Sequence, residues 1–215
     1  WAVAKSNPPN LGALAPVAAP FYGADTKLRG NSLHFHAARF LAFVSGVDAQ
    51  DGVVADGAYW NALYRDHQTH GRAYRDFGRF AGTRQATFQE WASHPCLDSY
   101  WDQYSPSDAE LAAIDAAILT VTGAYDADQP GAIRHYRRHM AFGNAAAKAR
   151  HHLVIGPWDH TGTMLPRRAF GGLEFGPESL IDVPGLHLGW YDWALGGGPK
   201  PAFLADRVAY YLAGL

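Results

Sequence analysis

Cysteine is almost absent. Cys96 stands alone, so no disulfide can form within the chain and a cysteine-rich metal site is excluded. Beside Pro95 it reads as a small buried apolar residue rather than a nucleophile. An excess of charge is also lacking. The net charge of −2 leaves no electrostatic footprint for nucleic acid and no polybasic patch for a membrane surface. No apolar run reaches the length of a membrane-spanning helix. Neither the phosphate-cradling Gly-x-x-x-x-Gly-Lys loop nor Gly-x-Gly-x-x-Gly occurs, so no nucleotide cofactor is implied. The chain carries no internal repeat and no low-complexity tract. It does not open with Met, and no signal-peptide pattern comes after Trp1.

Hydrophobic residues are abundant, at 48% of 215, and the seven Trp are a high share. A sizeable core is therefore expected, with aromatics filling it first and lining apolar pockets second. Residues 1–8 read as the end of a helix stopped by Pro8-Pro9. Leu11 to Ala19 is short and apolar, like a buried strand. From Ser32 the pattern turns helical, with Leu33, Phe35, Ala37, Phe40, Leu41 and Val44 closing near Gly46. Gly57 to His67 and Thr87 to Ser93 read as further helices, so 31–105 is expected to be helical throughout.

After Pro106 the pattern changes again. Ala116 to Thr122 is a continuous β-prone run ended by Gly123. Pro130 to Phe142 is helical, and Leu153 to Ile155 is a second buried strand ended by Gly156-Pro157. Strand, helix, strand in that order is a βαβ unit and implies a parallel sheet. A Trp- and Tyr-rich helix comes next, around Leu186 to Leu195. Gly196-Gly197-Gly198-Pro199 reads as a linker, and Arg207 to Leu215 as a further strand.

Ligands of open parallel sheets bind beyond the carboxyl ends of the strands. Two short motifs fall there. Gly123-Ala124-Tyr125-Asp126 succeeds the first strand, and Gly156-Pro157-Trp158-Asp159-His160 the second. Each places one ionisable side chain just past a strand, giving an acid and a histidine separated by a crossover helix. A buried carboxylate that accepts from one imidazole nitrogen fixes the tautomer and stabilises the imidazolium formed when the other nitrogen takes a proton. The order acid-then-histidine is the second half of the α/β-hydrolase order Ser, Asp or Glu, His.

The motifs GAYD (123–126) and LVIGPWDH (153–160) resemble the Gly-Trp-Tyr-Asp and Gly-Pro-Trp-x-His turns of the cocaine-esterase-like and X-Pro dipeptidyl-peptidase-like serine hydrolases, within the α/β-hydrolase superfamily. HPCLDSYWDQYSP (94–106) is similar to the stretch where the helical cap of that family returns to the core. LHLGWYDWALGG (186–197) is similar to its helix before the C-terminal β-sandwich. The resemblance implies an α/β-hydrolase fold, in part: the second half of the parallel sheet, an inserted helical cap, and the first strand of a β-sandwich. The implied divisions are core at 1–30, cap at 31–105, core with both turns at 106–199, and sandwich from 200 to 215.

It also implies roles. Asp126 would be the acid and His160 the base of a catalytic triad, with Asp128 as the alternative acid two residues on. Ala124 stands where the family usually has Trp, opening space beside the acid. No Gly-x-Ser-x-Gly elbow occurs around Ser6, Ser32, Ser45, Ser93, Ser99, Ser105, Ser107 or Ser179. The segment WAVAKSNPPNLGALAPVAAP (1–20) resembles the family's stretch just past the elbow, which places Trp1 about seven residues beyond the serine and the chain as an internal piece. The implied reaction is hydrolysis of a small ester, amide or peptide substrate through an acyl-serine intermediate, with no metal and no organic cofactor. The other reading is a non-catalytic fragment or pseudo-enzyme serving as a binding module.

Further side chains have plainer readings. His135 and His139 share a helix face, but a zinc site needs three or four convergent ligands, and Arg134, Arg137 and Arg138 around them point to a solvated face. His34/His36 and His67/His70 read the same way, and His151-His152 flank a strand start. Trp60, Tyr64, Phe77, Phe80, Phe88 and Trp91 read as packing of the cap's own core rather than an acyl pocket. Asp159 reads as a turn residue.

Overall fold

The run Ala117–Gly123 is buried at every position, as a strand covered on both faces must be. The computed structural model describes residues 1–23, 25, 28–29, 32–33, 35–44, 52, 55–77 and 86–212. Its helices are α1 (Ala2–Ser6), α2 (Phe35–Val44), α3 (Gly57–Thr69), α4 (Ala86–Ser93), α5 (Asp108–Ala113), α6 (Gln129–Phe142), α7 (Ala145–Ala149) and α8 (Val183–Ala194). Its strands are β1 (Ala13–Leu14), β2 (Leu28–Arg29), β3 (Ser32–Leu33), β4 (Ala117–Gly123), β5 (His151–Gly156), β6 (Ala169–Phe170), β7 (Leu173–Glu174) and β8 (Val208–Tyr210).

The main sheet has the order β1-β4-β5-β8, and all its pairings are parallel. Helices cover both faces, which makes this a partial α/β fold. The side chains of β4 alternate between two cores. Ala117, Leu119 and Val121 pack with Trp158, Trp190 and Leu204 on the face covered by α8. Ala116 and Ile118 pack with Ala4, Leu111 and Ile114 on the face covered by α1 and α5. The start of α5 is fixed by a capping box: Ser107 Oγ accepts from Glu110 N–H, and the Glu110 carboxylate accepts from Ser107 N–H.

The described residues between 35 and 105 are mostly helical and build a core of their own from Ala37, Ala38, Leu41, Trp60, Phe77, Phe88, Trp91 and Trp101. Each fully buried aromatic contributes roughly 1.5–3 kcal/mol, so packing accounts for Trp60, Phe77, Phe88 and Trp91 as expected; Phe80 lies outside the described residues. The return of this region to the sheet is tied by cations to backbone carbonyls. Lys5 Nζ donates to Asp102 O and Ser105 O, and Arg138 donates to Pro106 O at 2.7 Å.

Several expectations need correction. The strand expected over Leu11–Ala19 is ordered only at Ala13–Leu14, with one bridge further on between Val17 and Val121. Pro16 has no N–H to give, so the ladder breaks after Leu14; it is met again at Val17, where Val121 N–H donates to Pro16 O and Ala18 N–H, at φ 47, to Val121 O. The region expected to be all helix, 31–105, has a strand near its start: β3 pairs antiparallel with β2. Near the C-terminus, Val208–Tyr210 pairs parallel with β5 and extends the main sheet, instead of opening a sandwich. Cys96 is exposed, because its loop is held by its backbone: Trp101 Nε1 donates to Cys96 O at 3.0 Å.

The largest correction concerns His135 and His139, expected on a solvated face. They are 2% and 0% exposed. With Gly131 and Ala132 they form the inward stripe of α6, while Arg134 and Arg137 lie on the outer side. The His135 ring stacks on Trp1 at 4.6 Å. His139 Nδ1 and His151 Nδ1 are 2.9 Å apart, and His151 Nε2 reaches Thr120 Oγ1 at 2.9 Å. His67 is also buried, edge-on to Phe77, whereas His70 is exposed beside Asp66. His34 and the His36 side chain lie outside the described residues.

Candidate active site

β4 and β5 end in register, Gly123 opposite Gly156. The chain then turns at both ends, and the two turns are bonded to each other. Ala124 N–H donates to Gly156 O at 2.8 Å, and Tyr125 N–H to Trp158 O at 3.0 Å. The close approach needs the glycines: a Cβ on Gly123 would lie 2.1 Å from Trp158 O, and one on Gly156 2.2 Å from the Trp158 ring. Trp158 is buried behind the turn and donates from Nε1 to Ser179 O at 2.9 Å.

This framework brings Asp126 and His160 together. His160 Nδ1 is 3.2 Å from Asp126 Oδ1, with the carboxylate side chain 0% exposed and the imidazole 61% exposed. The second acid joins them, Asp128 Oδ2 lying 3.6 Å from the same nitrogen. Asp128 N–H donates to Asp126 Oδ1 at 2.9 Å. One carboxylate oxygen thus meets both the backbone of its own turn and the imidazole. Asp126 Oδ2 is buried with no hydrogen-bond partner among the described residues.

The histidine turn is held from its own side. Asp159 accepts from Gly162 N–H at 2.7 Å and pairs with Arg167 at 2.7 Å, the turn role expected of it. Thr163 Oγ1 donates to His160 O at 2.7 Å. The result is a ring fixed at its backbone and at Nδ1, with its outer part open to solvent. That arrangement can accept a proton at Nε2 while a buried carboxylate balances the charge. Ser6 and Ser93 close helix ends by donating to Val3 O and Glu90 O, Ser107 caps α5, and Ser105 and Ser179 are buried.

Asp126, Asp128 and His160 each offer one donor atom within 4.8 Å of the others. The number would suit a cation, but the shortest contact is a hydrogen-bond distance that one proton fills.

Two neighbours escaped the reading of the sequence. The hairpin β6–β7 places Phe170 and Phe175 against Tyr125, with ring centroids 6.0 and 5.8 Å apart. Gly171-Gly172, both at positive φ, is the two-residue hairpin turn that would have revealed it. Tyr22 belongs to the surroundings of the second acid. Burial raises its phenol pKa first, and the charge of Asp128 raises it further, then Tyr104 and Asp25.

The model of one family, the X-Pro dipeptidyl-peptidase (S15) family, matches residues 1–162 and so takes in both turns. Among solved structures, the chain is similar to an aminopeptidase from the marine sediment archaeon Thaumarchaeota archaeon, with 22% identity and a TM-score of 0.61. The likeness covers 94% of this chain and 33% of that one, so this chain spans about a third of the neighbour's length. At that identity the likeness is one of fold. No curated protein matches the chain.

Proposed function

The chain belongs to the X-Pro dipeptidyl-peptidase (S15) family, and from this we propose that it supplies the acid and the base of a serine hydrolase site of the α/β-hydrolase type. The observation that carries the reading is one contact: an exposed imidazole held at 3.2 Å by a fully buried carboxylate, beyond adjacent parallel strands. His160 Nε2 takes the proton of a serine hydroxyl as the oxygen bonds to the carbonyl carbon of the substrate. Asp126 accepts from Nδ1–H and balances the imidazolium. The same proton then passes to the leaving alcohol or amine, and an acyl-serine remains. Water repeats the cycle and frees the acid.

The serine is proposed to lie upstream of Trp1, since no Gly-x-Ser-x-Gly elbow stands in residues 1–215. The helical region 31–105 would serve as the cap that shapes the substrate site, and the substrate is a small ester, amide or peptide. The absence of that elbow also favours a second reading, a binding module without catalysis.

The test compares residues 1–215 with the protein extended upstream to the proposed serine, using a p-nitrophenyl ester and a fluorophosphonate probe. The short chain should be inert, and the extended one labelled and active. His160→Ala should lower turnover by about 10⁴-fold or more. A folded but inert extended protein would favour the binding module. Serine-dependent labelling of residues 1–215 would show that the nucleophile has been misplaced.

A further inference from the structure

An aspartate at a helix N-cap ordinarily turns its carboxylate back onto the first free N–H groups of the helix. Asp128 occupies the N-cap position of α6 and makes no side-chain cap hydrogen bond. Its carboxylate goes elsewhere: it is buried at 7% side-chain exposure, with Oδ2 3.6 Å from His160 Nδ1. The backbone N–H of the same residue is committed to Asp126 Oδ1 at 2.9 Å. That local bond folds the Asp-Ala-Asp segment on itself, so both carboxylates converge on one imidazole nitrogen.

A single N–H serves one acceptor well at a time. At 3.2 Å Asp126 is within hydrogen-bond range, and at 3.6 Å Asp128 is not. Its charge still falls on the ring at close range and favours the imidazolium. We propose that Asp128 is a second positioning carboxylate for His160: the imidazolium formed in turnover lies between two buried acids, and Asp128 takes the Nδ1–H when Asp126 cannot accept it. This rests on His160 being the base. Among the described residues, Tyr22 lies within reach of the charges of Asp128 and Asp25, and Asp25 also accepts from Phe21 N–H. On the histidine's own turn, Arg167 is balanced by Asp159.

The experiment uses the protein that carries the upstream serine, as Asp126→Asn, Asp128→Asn and the double variant, with Asp128→Ser as a second replacement suited to an N-cap. The readouts are kcat and KM against pH, and titration of the His160 ring by NMR. Asp128→Asn should lower alkaline kcat by about threefold, through kcat rather than KM, while the His160 midpoint falls by about one pH unit. Asp126→Asn should lose about 10²-fold in kcat, short of the roughly 10⁴-fold typical when a lone triad carboxylate becomes an amide. The double variant should lose a further ~10²-fold, because the backup is gone.

Equal kcat for Asp126→Asn and the double variant would overturn the inference. So would a His160 titration in Asp128→Asn or Asp128→Ser that superposes on the native curve. The ring titration needs no turnover. A shifted midpoint in an inactive protein therefore keeps the second carboxylate and removes the serine mechanism. An active, His160-dependent enzyme with an unshifted midpoint does the reverse.

Discussion

Lowering the pH from 7.5 to 5 is expected to remove about 4 kcal/mol of stability, through histidines that take no part in the proposed chemistry. His135 is 2% and His139 0% exposed. Burial pushes His135 down to about 3, against the opposing pull of its bond to Pro20 O. It pushes His139 down to about 4, with Lys148 adding to the effect. His151 is driven well below the usual imidazole range, first by burial and then by His139. Geometry demands the same. The two Nδ1 atoms 2.9 Å apart can share one hydrogen, so protonating both rings would set two N–H groups against each other. Among the described residues, the charges that push these rings further down are cationic: the Trp1 amino group, Arg138 and Arg134 at His135, Lys148 at His139, and Arg207 at His151.

These rings are neutral when folded and take a proton near pH 6.5 when unfolded. Unfolding therefore takes up protons, and the stability they contribute is complete above about 6.5 and lost as pH falls toward 4 and 3. At pH 5 the loss is about 2 kcal/mol for each of His135 and His139, and His151 adds in the same direction. Total stabilities are only about 5–15 kcal/mol, so the change is measurable. Urea unfolding monitored by Trp fluorescence, repeated from pH 7.5 to 5, gives the proton uptake as a slope. His139→Asn should reduce that slope by about one proton. Stability that stays flat across this range, or a folded-state His139 titration near 6.5, would refute the reasoning.

Gly123→Ala puts a methyl 2.1 Å from Trp158 O and should cost at least about 2 kcal/mol by overpacking, lowering Tm by roughly 4–8 °C; an unchanged melting curve would show that the two turns can part. Ser107→Ala breaks the capping box of α5 and should cost about 1 kcal/mol, read by chemical denaturation, while the His160 ring titration stays where it was.

The parts of the fold legible in the sequence are those written in a few adjacent residues. AILTVTG ends in a glycine with an acid three residues on, and HHLVIG ends in a glycine with a histidine four residues on. Strand, break and side chain are all local there. Pairing partners are not local, which is why β8 could be read as a strand but not placed beside β5. The inward stripe of α6 was present as Gly131, Ala132, His135 and His139, a helical repeat of small and aromatic side chains. Its arginines drew the reading outward, although Arg134 lies over the Phe21 ring at 4.3 Å and only its charge needs water. Cys96 misled for the opposite reason: residue type favours burial, but backbone bonds decide where its loop goes.

His151 lies within β5 and His160 beyond its end, and their surroundings suit them to opposite chemistry. His151, the first residue of β5, is 0% exposed and spends both ring nitrogens on Thr120 and His139. A proton there would find no carboxylate among its bonded partners, so the ring serves packing and stays neutral. His160 lies past the other end of the same strand, where the regular ladder has stopped and the chain must turn. The turn exposes the ring to solvent, yet keeps its Nδ1 against Asp126 and Asp128, both buried. Burial therefore falls on the two carboxylates and exposure on the imidazole. For the proposed mechanism this leaves the base open to a substrate, and the charge it would gain in reacting is met from behind. Exchanging the environments of the two histidines would leave the composition unchanged and remove the site.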